Sequence, residues 1–292
     1  MNLSRREFVR ALAAAGIAGG TGVAHTQTET AWLKFGVCAD MSCAGRLEAM
    51  GYDFIEGGVG GVLKPDTPDA EYAPELEKLK SLALPIRSCN GFLSPKFRLT
   101  GPEARFDPAL EYAETACRRA DLLGIPFIVL GSGGARKVPE GYDLGKGKEQ
   151  FIEFCRKIGD RIKDCKVTIV IEPLNRAESN LLNSVAEGVA YVDAINRPRV
   201  QLLADFYHML KEGEAPDAIR KAGARICHCH IAELEGRKAP GAKGEDLSVF
   251  FKALRDIGYA GGVSCECGWP KEDIEGAWAR ALAAMRAQSN VR

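Results

Sequence analysis

The sequence predicts a closed (β/α)8 barrel, and three observations carry that expectation. Eight short apolar runs recur along the chain, helix-length amphipathic segments lie between them, and no linker or low-complexity tract interrupts the series. Alternating strand and helix implies parallel pairing through right-handed crossovers. Eight such units over roughly 260 residues favour closure over an open sheet. Residues 30–292 are therefore expected to form one catalytic domain.

In chain order, the strand runs fall at 33–38 (LKFGVC), 53–56 (DFIE), 84–89 (LPIRSC) and 127–130 (FIVL). The next are 167–172 (VTIVIE), 200–205 (VQLLAD), 225–231 (RICHCHI) and 262–266 (GVSCE). Continuous β-branched runs of this kind suit strands buried on both faces. Helical patterns are expected at 69–81, 108–123, 148–163, 184–195 and 247–257, with a last one at 272–286.

The first 24 residues stand apart from that pattern. Ser4-Arg5-Arg6-Glu7-Phe8 carries adjacent arginines, and an Ala/Gly-rich, weakly apolar segment follows to Ala24. Paired arginines ahead of such a segment resemble a twin-arginine export signal, with small residues at 22–24 for cleavage. A periplasmic or other extracytoplasmic location is the expectation, with no stable membrane span after signal removal, because the segment is short and Gly-rich. Charge excludes one partner class. The 39 basic and 39 acidic residues balance, and no basic patch for a nucleic-acid backbone stands out. The ten cysteines show no CxxC spacing. Several lie inside strands, where a free thiol behaves as a small buried hydrophobe.

The last four strands carry the chemistry. Glu172, Asp205, His230 and Glu266 each stand at or near the end of a run. That end is where α/β barrels place reactive groups. Period-two alternation puts His228 and His230 on one face and Cys227 and Cys229 on the other. Glu266 likewise opposes Cys265 and Cys267. With the imidazoles and carboxylate facing inward, all four thiols face the helices and do not ligate. Three carboxylates and one imidazole suit Mn²⁺ first, with Mg²⁺ or Co²⁺ as alternatives. The Gly-rich stretches at 57–61 and 131–134 make no strong phosphate site.

The motifs ExxNRxE (Glu172, Asn175, Arg176, Glu178), DxxH (Asp205, His208) and HxHxxE (His228, His230, Glu233), with Glu266, resemble the xylose isomerase-like TIM barrels. Within these sugar isomerase/epimerase barrels, the similarity is to the ketose 3-epimerase and hydroxypyruvate isomerase branch. The loop CNGFLSPKFRLTGPEARFD also resembles that group, and the likeness runs over roughly 33–285. It implies Glu172, Asp205, His230 and Glu266 as metal ligands, with Glu172 and Glu266 doubling as the acid/base pair. It further implies substrate contacts from Glu178, His208 and His228, and from Arg237, which stands one position later than the family's arginine. Glu56 at the end of strand 2 and Trp269 after strand 8 complete the expected substrate-facing set.

The implied reaction is proton transfer next to a carbonyl of a sugar or keto-sugar, through an enediolate. Two glutamates on opposite faces of that planar species invert a stereocentre, whereas one glutamate shuttling between neighbouring carbons isomerises. The same enolate can instead expel a β-substituent, so a lyase or dehydratase acting on a keto-inositol or 3-keto-glycoside is the alternative. A non-catalytic carbohydrate-binding barrel is a lesser one. A three-zinc phosphodiesterase needs more histidines than the four present. Homo-oligomers through helical faces remain open. For the export signal, replacing Arg5 and Arg6 together by lysine is expected to leave the protein in the cytoplasm. Fractionation of the two forms checks this, and unchanged export of the Lys-Lys form would contradict it.

Overall fold

The computed structural model describes residues 32–291, so the twin-arginine segment at 1–24 lies outside the described residues. Eight parallel strands close a barrel in sequence order, with the last hydrogen-bonded to the first. They are β1 (Lys34–Cys38), β2 (Phe54–Gly58), β3 (Ile86–Asn90), β4 (Phe127–Leu130), β5 (Thr168–Ile171), β6 (Val200–Asp205), β7 (Ile226–Ile231) and β8 (Gly262–Cys265). The principal helices are α1 (Ala44–Ala49), α2 (Asp69–Lys80), α3 (Asp107–Leu123), α4 (Leu144–Arg161), α5 (Val185–Ile195), α6 (Asp217–Ala222), α7 (Ser248–Asp256) and α8 (Ile274–Ser289). No helix among the described residues is long and apolar enough to cross a membrane.

All eight expected strands form, and their ends differ from expectation for local reasons. The β5 ladder stops one residue short of Glu172 because Pro173 has no N–H to continue it. α4 starts earlier than its periodicity predicts because the Asp143 carboxylate accepts the Lys146 N–H and sets the N-terminus. Asp273 does the same for α8 through Gly276. α1 and α6, six residues each, are too short to show a repeating apolar face and went unmarked in the sequence.

Alternation along the strands divides the core. One face of β4 to β6 sends Val129, Val170 and Leu203 into a small cluster. The other face, with Ile128, Ile171 and Ala204, belongs to the large core shared with the helices. Glu172 and Asp205 stand two residues beyond Val170 and Leu203, so both continue the inner face.

The cysteines follow expectation with one correction. Cys265 reaches Met285 on α8, and Cys229 lies in the large core. Cys227, in contrast, packs against the inner cluster of Val129, Val170 and Leu203. The β6–β7 register shifts here: Leu202 pairs with Ile226 and Leu203 with His228, leaving Cys227 as the extra residue of a bulge. Bulges re-aim side chains in this way. All ten cysteines are free.

Candidate metal centre and active site

Strand alternation and two bulges assemble the site. Glu172, Asp205, His230 and Glu266 come from four consecutive strand ends, and one potential ligand atom from each lies within 4.8 Å of the other three. His230 Nδ1 is the hub, 3.2 Å from Glu172 Oε1 and 3.4 Å from Glu266 Oε2. The donor set fits a hard divalent cation: three carboxylates and one imidazole, converging at the C-terminal mouth of a barrel. Glu172, Asp205 and His230 are buried and Glu266 is half-buried. The cluster therefore meets solvent from the Glu266 side.

The carboxyls are not equivalent. Burial pushes the Glu172 carboxyl above its ordinary range, with the Glu266 charge adding to that and His230 opposing it. Burial likewise pushes Asp205 up to about 6, against the pull of His230 and Arg237. Burial would raise Glu266 too, but the His230 charge and hydrogen bond and then Arg237 bring it down to about 2. His230 is held well above its ordinary value: burial opposes the charged ring, and Glu56, Glu266 and Glu172 outweigh it.

The family model described as xylose isomerase-like TIM barrel matches residues 45–288. The chain belongs to this family. D-psicose 3-epimerase of Enterocloster bolteae is 32% identical over 143 residues, 47% of each chain. The putative hydroxypyruvate isomerase of Mus musculus is 29% identical over 190 residues, 62% of this chain and 66% of that one. The chain thus spans about half the length of the curated epimerase it matches. Among solved structures, D-psicose 3-epimerase with D-tagatose from Clostridium cellulolyticum H10 superposes with a TM-score of 0.77. It is 22% identical, covering 89% of this chain and all of that one, a likeness of fold.

On this family barrel, His208 and Arg237 stand beside the cluster, and Glu178 stands beside Arg237. The His208 ring is buried, and burial holds its pKa down, favouring the neutral ring. The Asn175 backbone N–H donates to His208 Nδ1 at 3.2 Å, which leaves the proton on Nε2. That Nε2 has no hydrogen-bond partner and stands 3.5 Å from Asp205 Oδ2. It is a buried donor set beside the cluster.

Glu178 is exposed and accepts from Asn175 Nδ2 at 2.8 Å. Arg237 lies 3.6 Å from Glu178, 2.5 Å from Glu266 Oε2 and 3.5 Å from Asp205 Oδ2. Left-handed backbone at Gly236 (φ 70°) and Arg237 (φ 50°) carries the guanidinium to the mouth despite its shifted sequence position.

Three expectations are corrected. Glu56 and His228 are not substrate contacts: both are buried at 1% exposure or less and bond each other at 2.9 Å beneath the cluster. Arg176 of the ExxNRxE motif turns outward to pair with Glu212. Trp269, half-buried, meets Trp278 of α8 edge-on at 6.4 Å, committing the indole to helix packing rather than to a sugar-facing wall.

Four contributors escaped the sequence reading. Asn90, at the end of β3, donates to Glu266 Oε1 at 2.8 Å and so leaves Oε2 toward the cluster. Reading one residue further along that strand would have found it. Fully buried Arg136 donates to the Glu172 carbonyl at 2.7 Å, and burial lowers its own pKa to about 10. Tyr207 supports Arg237, whose guanidinium carbon lies 4.8 Å from the ring centre. Gly131 is required for space, because a Cβ there would overlap Glu172 Oε2.

Proton competition yields a prediction. Below about pH 6, both Asp205 and His230 must lose protons before a cation can bind, and the raised Glu172 carboxyl adds to the competition. Above about pH 6 Asp205 is already ionised, and His230, held well above its ordinary value, still has to lose one. Mn²⁺ affinity is expected to rise with pH, steeply below about 6 and less steeply above. Calorimetric titration in buffers of different ionisation enthalpy measures the released protons, and pH-independent affinity would contradict the assignment.

Proposed function

We propose that the protein is a divalent-metal-dependent sugar epimerase or isomerase that moves a proton at the carbon next to a carbonyl. The observation that carries this reading is the four-residue cluster holding two glutamates, Glu172 from β5 and Glu266 from β8, with β6 and β7 between them. The matched relatives named as a psicose epimerase and a putative hydroxypyruvate isomerase support it. Glu172, Asp205, His230 and Glu266 would hold the cation, with Mn²⁺ favoured by the hard-oxygen set and Mg²⁺ or Co²⁺ next. Bound there, it would supply electrostatic stabilisation of the negative charge that builds on the substrate oxygens as the adjacent proton leaves.

The chain's own residues do the rest. Glu266, held ionised by His230 and Arg237, is suited to take the proton first. Glu172, on the other side of the cluster, is suited to return one from its own side. The free Nε2–H of His208 donates to a substrate oxygen, and Glu178 and Arg237 receive hydroxyls at the rim. Export by the paired-arginine signal, as proposed, fits an unphosphorylated sugar.

Turnover in heavy water on a panel of ketoses and keto-glycosides is expected to place deuterium at the carbon beside the carbonyl. Glu172→Gln and Glu266→Gln are each expected to lose activity by about a hundredfold or more while metal remains bound. Turnover without solvent exchange at that carbon contradicts the reading, and an eliminated product would move it to a lyase.

A further inference from the structure

Beneath the cluster lies a carboxylate that the reaction above does not use. Glu56 has no exposed surface, and the β2–β3 register shift sets it directly beside Ser88. Ser88 Oγ donates to Oε2 at 2.5 Å, His228 Nε2 lies 2.9 Å from the same oxygen, and His230 Nε2 lies 2.9 Å from Oε1.

We infer that Glu56 is the positioning residue of the metal centre: by accepting the Nε2–H of His230, it fixes the ring so that Nδ1 faces Glu172 and Glu266. The inference rests on the metal-assisted reading given above and adds a residue to it. The proton placement follows from chemistry on both rings. His228 Nδ1 is buried without a partner, and an unmatched lone pair costs less there than an unmatched N–H. His228 therefore also donates from Nε2. An ionised Glu56 then receives three donors and offers none, which is what a fully buried carboxylate requires.

His228 is itself locked, stacked on Phe127 at 5.7 Å and met edge-on by Phe54 at 6.2 Å. Its proton pins Glu56 from below while His230 is pinned from above. Cys38 lies near Glu56 and His230, but the three hydrogen bonds occupy both Glu56 oxygens, so a second centre does not follow. Carboxylates that accept the far N–H of a ligating histidine set its tautomer and raise its basicity, and removing them typically weakens metal binding roughly ten- to hundredfold.

Glu56→Gln isolates this role. Its amide can accept from one histidine only, so the other must give up its Nε2–H or meet N–H against N–H, and even where the amide oxygen stays on His230 it is a neutral acceptor that supports the ring less than a carboxylate does. Relief for His230 requires moving its proton to Nδ1, the face offered to the metal. Ser88→Ala is the control, since it removes one donor and leaves both histidine bonds intact.

The test is Mn²⁺ titration of the full chain with free Mn²⁺ read by electron paramagnetic resonance, alongside circular dichroism. Glu56→Gln is expected to weaken Mn²⁺ binding by roughly ten- to hundredfold, and Ser88→Ala by less than about threefold. In the Zn²⁺-loaded wild type, two histidine Nε2–H resonances should appear downfield and exchange slowly. Folded Glu56→Gln with wild-type affinity overturns the inference, as does the absence of those resonances from the wild type. The second readout stands even if the variant does not fold. Neither depends on sugar turnover: a chain inactive on every sugar can still show the Glu56 effect, and an active epimerase can lack it.

Discussion

Crowded negative charge is the constraint on which the rest of the site depends. Ligand atoms of Glu172, Asp205 and Glu266 lie within 4.8 Å of one another, with Glu56 below them. Two like charges about 4 Å apart repel by about 4 kcal/mol at the effective dielectric typical of proteins. Within the cluster, His230 and Arg237 bring compensating charge into direct contact with the carboxylates. Burial first, and then the Glu266 charge, lean Asp205 and Glu172 toward their protonated forms, while His230 and Arg237 hold Glu266 ionised. A divalent cation relieves the repulsion that the fold enforces, so the same crowding that destabilises the empty arrangement favours binding.

The barrel can enforce that crowding because its framework leaves these side chains little room to relax. Arg136 ties the Glu172 carbonyl to the end of β4, where it also reaches the Leu130 carbonyl at 3.4 Å. The bare backbone of Gly131 lets the Glu172 carboxylate lie flat against the mouth. Asn90 takes one oxygen of Glu266, and Arg237 takes the other. Below, the aromatic floor of Phe54, Phe127 and His228 closes the barrel and holds Glu56 up to His230. Such supporting contacts are what hold reacting groups within the small tolerances catalysis needs.

Much of this was legible in the sequence. Period-two alternation on HCH and CEC set which side chains face inward, and strand ends located all four members of the cluster. What escaped depends on contacts between distant segments. Nothing in DFIE distinguishes a rim carboxylate from one bonded to two histidines over 170 residues away. Whether Arg176 turns toward Glu178 or Glu212 is decided by where the helical turn after β6 places Glu212. The reversed facing of Cys227 comes from a bulge, and single-residue bulges leave no mark on an apolar run. Arg237 shows the converse. Its position was offset in sequence, and left-handed backbone at two residues restored its place.

Metal stoichiometry tests the central claim most directly. Elemental analysis of the mature protein, reloaded with Mn²⁺ and desalted, is expected to find one ion per wild-type chain. The folded double variant Asp205→Ala/His230→Ala is expected to retain essentially none. A wild type that retains no divalent ion, or a double variant that retains the full complement, would contradict a metal centre at the ends of β5 to β8.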